Sequence, residues 1–177
     1  PSQERVQNRL SLSSNFEWKN NNGTVVKLRT SLFNYEHYVL ERTSDWDDNI
    51  YEADLMVNTL VLKKHMITAG YQLQHETIDD RGKEYEANQT LHSFYVQDEF
   101  VVGPLDLVLG ARLDSHNLWG TEFNPKISTK LRVTDSFKLK ASAGRAFRGP
   151  DLVKFHGSWQ MGPYLVMPNA DLKPESS

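Results

Sequence analysis

The chain has 177 residues and no cysteine, and its 20 lysines and arginines are balanced by 23 aspartates and glutamates, for a net charge of −3. The lack of cysteine excludes disulfides and thiolate metal sites. The charge balance argues against nucleic acid as a partner, because such binders usually carry a basic stripe. No apolar run reaches the roughly 18 residues of a transmembrane helix. The mean hydropathy of −0.58 does not exclude a membrane barrel, in which only alternate residues face lipid.

In the first half of the chain, apolar and polar residues alternate with a period of two, which predicts β-strands. These strands are expected at residues 5–19, 24–42, 50–62 and 65–79. Strands of this length exceed the usual size of about five or six residues, so the pattern predicts a tall sheet. The alternation changes phase at residues 33–35, which we interpret as a β-bulge.

The second half continues the alternation, with strands expected at residues 90–102, 105–117, 125–133 and 137–144. Short connections are expected at 20–23, 63–64, 103–104 and 134–136, and longer ones at 43–49, 79–89, 118–124 and 149–177. Because the two sizes alternate, all short turns fall at one end of the sheet and all longer loops at the other, as in outer-membrane barrels. The predicted fold is all-β, an antiparallel up-and-down meander of about eight long strands. A soluble β-sandwich or small closed barrel acting as a binding module is the alternative.

Five segments of the second half form an ordered series of motifs. They read SFYVQDEF at 93–100, LDLVLGARLD at 105–114, NPK at 124–126, ASAGRAFRGP at 141–150 and NADLKPE at 169–175. In this order and spacing they resemble the barrel of TonB-dependent outer-membrane receptors, the family that takes up siderophores and haem. Residues 1–92 match that family only in pattern. Two positions depart from its motifs: Gly149 replaces the common Ala, and Ala170 replaces the usual Pro.

The resemblance implies that residues 1–177 are part of a 22-stranded transmembrane β-barrel in the bacterial outer membrane, without its plug domain. It implies short periplasmic turns and longer extracellular loops, with 149–177 as a long extracellular loop. The whole receptor would import an iron chelate, a ferric siderophore, with outer-membrane lipid around it and TonB acting through the missing plug. Haem is the alternative cargo, carried as a transported ligand, and no cofactor is expected. The isolated fragment is expected to need detergent or to oligomerise, because its sheet edges and apolar face are uncovered.

The family-motif residues flank the last loop on both sides. They are Phe147, Arg148, Gly149 and Pro150 at its start, and Asn169, Asp171, Leu172, Lys173, Pro174 and Glu175 at its end. The resemblance places Arg145 and Arg148 near the extracellular end of a strand, where they are candidates for binding an anionic ligand. The competing interpretation is a structural ion pair with a carboxylate such as Asp151. Pro150 lacks an N–H group and is expected to end the strand.

Three further residues of the last loop are ligand-binding candidates. In some haem receptors of the family a haem-ligating histidine occupies the same interval as His156, and neutral imidazole suits iron. A histidine in an exposed loop is more often an ordinary loop residue. Trp159 and Tyr164 are candidates for an aromatic ligand surface, although a long loop also needs rings for its own packing.

A second group of histidines, His75, His92 and His116, is expected at a similar height near the longer loops. His116 shares its parity with polar residues and His75 shares its parity with apolar residues, so these two side chains are expected on opposite faces. The three are therefore weak candidates for a metal site, and no metal site is predicted. The sequence shows no nucleophile–base pair and no phosphate-binding loop, and an enzyme is not expected.

Overall fold

The computed structural model describes residues 5–39, 45–81 and 85–177, which form an eight-stranded antiparallel sheet in which every strand pairs with its sequence neighbours. The strands are β1 (Arg5–Lys19), β2 (Val25–Val39), β3 (Trp46–Val61), β4 (His65–Asp80), β5 (Tyr85–Val102), β6 (Leu105–His116), β7 (Gly120–Arg132) and β8 (Lys138–Gly144). The predicted all-β, up-and-down meander of eight long strands is confirmed. No helix of the described residues is long and apolar enough to cross a membrane.

The segment after β8 contains short elements. They are β9 (Phe147–Arg148), α1 (Leu152–His156), β10 (Trp159–Met161), β11 (Tyr164–Val166) and β12 (Glu175–Ser176). Strands β10 and β11 form a small hairpin. Strand β12 pairs with β9 in antiparallel fashion, with Glu175 opposite Arg148. The beginning and the end of this long segment are therefore held side by side.

The two faces of the sheet differ in character. Directly opposed residues of neighbouring strands share a face, so the register puts Phe94, Leu113 and Phe123 together on one side. We call this apolar side the outward face; its rings and leucines stay exposed, with Phe94 at 55% and Leu12 at 59%. The opposite, inward face is concave. It carries polar residues such as Arg112 and lines a cleft of about 720 Å³ near the short turns.

A closed apolar interior is not what holds this sheet together. Among the described residues, the buried apolar side chains are Ile78, Ala87, Leu152 and Phe155. A soluble β-sandwich places one face of each sheet in a shared dry core about 10 Å thick. Here the apolar face is the uncovered one, so the sandwich alternative does not fit the sheet.

The short turns lie where the sequence predicts them. The turn after β1 is closed by the side chain of Asn20, whose oxygen accepts hydrogen bonds from the backbone N–H groups of Asn22 and Thr24, both at 2.9 Å. Gly103 has a φ of 57°, which glycine adopts without strain, at the two-residue connection between β5 and β6. Asn and Gly therefore end the strands here for the expected conformational reason.

The predicted longer loops at 43–49, 79–89 and 118–124 are wrong in extent. Strand β3 already begins at Trp46, β4 continues to Asp80, and β5 begins at Tyr85. Only residues 117–119 join β6 to β7. The error has a physical cause: where both faces carry polar side chains the alternation disappears, although the backbone ladder continues unchanged. Residues 43–44 and 82–84 of these predicted loops lie outside the described part of the chain.

The predicted bulge at 33–35 is also wrong. All of β2 is described, and its register runs without interruption from Phe33 opposite Ser11 to Tyr35 opposite Arg9. The same residues continue in register with β3. The change of phase therefore means that aromatic residues sit on the inward face at this end of the sheet.

Candidate functional site

The segment after β8 folds over the inward face at the end of the sheet opposite the short turns, which we call the outer end. Leu152 and Phe155 of α1 are only 1% and 5% exposed. Leu152 packs with Ile78 of β4 and Ala87 of β5, and the register places these two residues opposite each other on the inward face. The segment therefore covers part of the interior and does not extend away from the sheet.

A cleft of about 320 Å³ lies between this segment and the sheet; we call it the loop cleft. The sheet contributes the polar side chains of Gln74, Glu76 and Gln89, and the covering segment contributes Phe147 and Leu152. The site therefore combines a polar wall with an apolar cover, which is the usual make-up of a ligand pocket.

Two amides and one carboxylate of the sheet form the polar wall of the loop cleft. Gln89 Nε2 donates to Glu76 Oε2 at 2.6 Å. The other amide atom, Gln89 Oε1, is buried without a hydrogen-bond partner. The wall thus contains one hydrogen-bond acceptor that no described residue satisfies.

His116, one of the three weak metal candidates, is an anchor for the connection 117–119. It is the last of the 12 residues of β6, at the outer end. Its Nδ1 accepts a hydrogen bond from the N–H of Leu118 at 3.1 Å, so its hydrogen sits on Nε2. Its ring stacks on Trp119 with centroids 4.4 Å apart.

The other two histidines face the opposite way. His75 bonds to Thr90 Oγ1 at 2.8 Å, and His92 bonds to Tyr71 Oη at 2.7 Å. The register places both of them on the outward face, whereas His116 is on the inward face. The expected separation of His75 and His116 onto opposite faces is therefore confirmed, and the structure does not bring the three imidazoles together.

Gly149, a departure from the family motif, is explained by Trp119. A Cβ at position 149 would lie 3.0 Å from Trp119 Nε1 and 3.2 Å from its Cε2. Phe147 packs against the same indole, with ring centroids 5.1 Å apart. A bulky ring in the β6–β7 connection thus leaves little room for a side chain where the last segment leaves the sheet.

The two predicted anion-binding arginines have different environments. Arg145 donates to Glu122 Oε2 at 2.7 Å and to the carbonyl oxygen of Phe123 at 3.4 Å. An ion pair with a carboxylate was the competing interpretation for Arg145, but its partner is not Asp151. Asp151 instead pairs with Lys154 at 3.0 Å.

Arg148 lines a second, smaller cleft of about 120 Å³ with Lys154, Lys173 and Glu175. We call it the basic cleft, because three cations and one carboxylate are among the residues that line it. Arg148 makes no ion pair with any described carboxylate within 4.0 Å. This cleft therefore has an excess of positive charge.

The other family-motif residues hold the ends of the last segment in place. Ala146 and Ser177 exchange two backbone hydrogen bonds of 3.1 and 2.9 Å. The N–H of Asn169 donates to the carbonyl oxygen of Lys154 at 3.1 Å, and its side-chain oxygen accepts from the N–H of Asp171 at 2.9 Å. Leu172 and Lys173 line the basic cleft. These contacts are structural ones within the segment.

The remaining candidates lie further out. His156 is exposed at the end of α1, and its ring lies 6.4 Å from that of Phe155. Tyr164 is 71% exposed on β11. Trp159 begins β10, but its side chain lies outside the described part of the structure. The ligand roles of these three residues stay predictions.

Sequence analysis missed a cluster of three rings and one arginine on the inward face. We call it the inward aromatic patch, and it consists of Tyr35, His37, Trp46 and Arg9. Tyr35 lies 5.0 Å from Trp46, and His37 lies 5.7 Å from it, measured between ring centroids. The guanidinium of Arg9 stands 5.0 Å from the centre of the Tyr35 ring. The signal that could have found the patch was the phase change at 33–35.

Known proteins with similar sequences are iron-related outer-membrane proteins. The family model described as TonB dependent receptor-like, beta-barrel matches residues 2–177. The iron-regulated outer membrane virulence protein of Vibrio cholerae serotype O1 is 23% identical over 178 residues, covering 96% of this chain and 26% of that protein. The probable TonB-dependent siderophore receptor PirA of Acinetobacter baumannii is 26% identical over 110 residues, covering 55% of this chain and 15% of that protein.

Solved structures share the fold. The siderophore receptor PirA from Pseudomonas aeruginosa matches with a TM-score of 0.85 at 20% identity, covering 97% of this chain and 34% of that chain. A variant of the ferric enterobactin receptor PfeA from the same organism matches with a TM-score of 0.78 at 15% identity, covering 97% of this chain and 31% of that chain.

The chain spans only about a quarter of the Vibrio cholerae relative and about a third of the two solved structures, with coverages of 26%, 34% and 31%. The number of strands in the whole barrel, predicted as 22, therefore stays a prediction. The family match nevertheless extends over nearly the whole chain, and the resemblance found in its motifs is confirmed. The chain belongs to the TonB-dependent receptor β-barrel family of the bacterial outer membrane.

Proposed function

We propose that this chain is part of an outer-membrane receptor that imports a ferric siderophore in a TonB-dependent manner. The names of two similar proteins support this: one is a probable TonB-dependent siderophore receptor, and the other is a siderophore receptor of known structure. The plug and TonB act through parts of the receptor beyond these residues. In this proposal the chain supplies a section of the wall and an outer segment that contacts the cargo.

The observation that carries the proposal is the basic cleft beside the inward-folded segment. Arg148 and Lys173 line this cleft with one carboxylate, Glu175, while the third cation, Lys154, is already paired with Asp151 at 3.0 Å. Ferric chelates with several ionised oxygen ligands are anionic, and guanidinium and ammonium groups attract such anions. We therefore assign cargo recognition to this cleft. Arg145 has a smaller role, because Glu122 already neutralises it.

The proposed chemistry is binding and transfer across the membrane. The family is one of receptors, and we assign no catalytic step to this chain. Outer-membrane lipid is the partner of the outward face, whose leucines and phenylalanines are exposed along the sheet. A lipid environment makes this exposure favourable, since apolar bands face lipid in such barrels.

The test uses the whole receptor with the double substitution R148Q and K173Q. We expect iron uptake into cells from an anionic ferric chelate to need at least about tenfold more chelate for half-maximal rate, because two charge-assisted contacts are lost, each typically worth about 1 kcal/mol or more. The matched control is Lys63→Gln and Lys64→Gln, in the short turn at the other end of the sheet. Unchanged uptake in the double variant would contradict this assignment.

Haem as cargo rests on His156 alone, and its exposed ring has no described partner besides Phe155. It therefore stays a prediction. Titration of haem against the receptor and its His156→Ala variant tests it, and an absorbance change that needs His156 would support it.

A further inference from the structure

The outward face carries two different polar pairs near the short turns. The hydroxyl oxygens of Thr24 and Thr59 lie 2.8 Å apart, so these two neutral groups bond to each other. In the second pair, His65 Nδ1 lies 2.8 Å from Asp98 Oδ2. Asp98 is four residues from Phe94 on β5, so both side chains are on the outward face. A carboxylate on a face that meets lipid is costly and calls for an explanation.

The carboxylate of Asp98 is only partly satisfied by the protein. Its Oδ2 atom bonds to His65, whereas its Oδ1 atom is buried and has no hydrogen-bond partner among the described residues. An ionised carboxylate has about four acceptor positions. The side chains of Asp98 and His65 are 27% and 35% exposed, respectively. The pair can therefore be reached from outside the sheet, and it offers acceptor capacity to a hydrogen-bond donor.

The surroundings of the pair suit a phospholipid molecule. Leu109 lies opposite Asp98 in the register and is 43% exposed, and Val61 lies opposite His65 and is 41% exposed. Apolar side chains on the outer surface of a barrel contact acyl chains. The Phe100 ring packs 5.0 Å from the imidazole and holds it beside the carboxylate. Strand β5 ends at Val102, four residues after Asp98, so the pair lies toward the headgroup region of the lipid.

We propose that Asp98 and His65 form a binding site for phosphatidylethanolamine, a phospholipid whose headgroup ends in a primary ammonium group. The ammonium donates a hydrogen bond to the exposed part of the Asp98 carboxylate, and the acyl chains lie along Val61 and Leu109. Charge and hydrogen bonding select this headgroup. The carboxylate repels an anionic headgroup, and a choline headgroup has no N–H group to donate. The inference rests on the lipid contact proposed for the outward face and does not depend on the cargo.

The test compares two zwitterionic lipids with identical acyl chains. Native mass spectrometry of the whole receptor in detergent, titrated with phosphatidylethanolamine or phosphatidylcholine, gives a Kd for each lipid. We expect phosphatidylethanolamine to bind about tenfold more tightly to the unsubstituted receptor, because only this lipid makes the charge-assisted hydrogen bond. Asp98→Asn keeps the size of the side chain and removes its charge. It should reduce the preference to less than about twofold and leave the Kd for phosphatidylcholine unchanged.

The matched control is Thr59→Val, which removes a neutral polar group from the same face at the same end of the sheet. It should keep the tenfold preference. Unchanged binding of phosphatidylcholine also shows that each variant is folded. An unchanged preference in Asp98→Asn, an equal loss in Thr59→Val, or no preference in the unsubstituted receptor would overturn the headgroup site and leave the proposed iron uptake standing. If the receptor binds neither lipid, the proposed lipid contact of the outward face fails together with the inference.

Discussion

The outward and inward faces of the sheet are built from the same strands but obey different rules. Outward side chains such as Phe94 and Leu12 remain more than half exposed. On the inward face, Arg112 donates to Asp114, Ser93 and Gln72 at 2.8, 2.7 and 3.0 Å. These bonds link three adjacent strands through side chains. The backbone hydrogen bonds of the sheet form whichever side chains the two faces carry. The side chains of each face can therefore suit the environment on that side.

Each face also carries residues of the other character near an end of the sheet, such as the outward pair Asn34 and Asn49 at the outer end. On the outward face, His65 Nδ1 lies 2.8 Å from Asp98 Oδ2 next to a short turn, and the imidazole packs 5.0 Å from the Phe100 ring. On the inward face, the aromatic patch lies at the outer end. Polar groups cost least near the membrane interfaces and most at the midplane. The positions of the exceptions agree with this gradient.

The largest effect is expected from removing the carboxylate at the centre of the inward network. Asp114 is 2% exposed, and it accepts hydrogen bonds from Ser93, Arg112 and Asn124. Asp114→Ala should lower the free energy of unfolding by about 3–5 kcal/mol, because the three side chains that donate to Asp114 lose their shared acceptor at once. Urea titration of the receptor in phospholipid vesicles measures this. Asp135→Ala in an exposed turn is the control, and a similar loss in both variants would contradict the network's importance.

A charge placed on the wrong face is expected to have the next largest effect. Val96 and Gln97 are neighbours in β5 with side chains on opposite faces. Val96→Arg should cost about 2–4 kcal/mol, because an arginine on the outward face is poorly solvated in the lipid that we propose for that face. Gln97→Arg should stay within about 0.5 kcal/mol, as for other water-facing substitutions. The yield of folded receptor in the outer membrane and urea titration both report the difference. Equal costs at the two positions would remove the distinction between the faces.

A smaller effect is expected where the last segment meets the inward face. Gly149→Ala should destabilise this contact by about 1 kcal/mol, because its Cβ would lie 3.0 Å from Trp119 Nε1 and the indole must shift by a few tenths of an ångström. Hydrogen exchange of residues 147–156 measures the local opening. Combining it with Trp119→Leu should recover most of the loss, since the smaller side chain makes room. Full additivity of the two substitutions would show that the predicted collision does not matter.

The motifs and strand pattern predicted much of the wall but little of the candidate site. The clear alternation of Leu105–His116 on β6 identifies both faces of this strand from the sequence alone. Local sequence did not reveal that α1 would fold inward, because this depends on Ile78 and Ala87 from strands about 70 residues earlier in the chain. It also could not pair Arg145 with Glu122, since that contact follows from the register of β7 and β8.

The sequence alone determined the strands, their order and the family, because a period of two is a local property that each strand carries by itself. Tertiary structure alone decided where the strands end, that Gly149 lies against the Trp119 ring, and which side chains meet on the inward face. The phase change at 33–35 shows the difference most clearly. In the sequence it resembled an extra residue in the ladder, and in the folded sheet it is an aromatic surface, because only the neighbouring strands reveal that the register is unbroken.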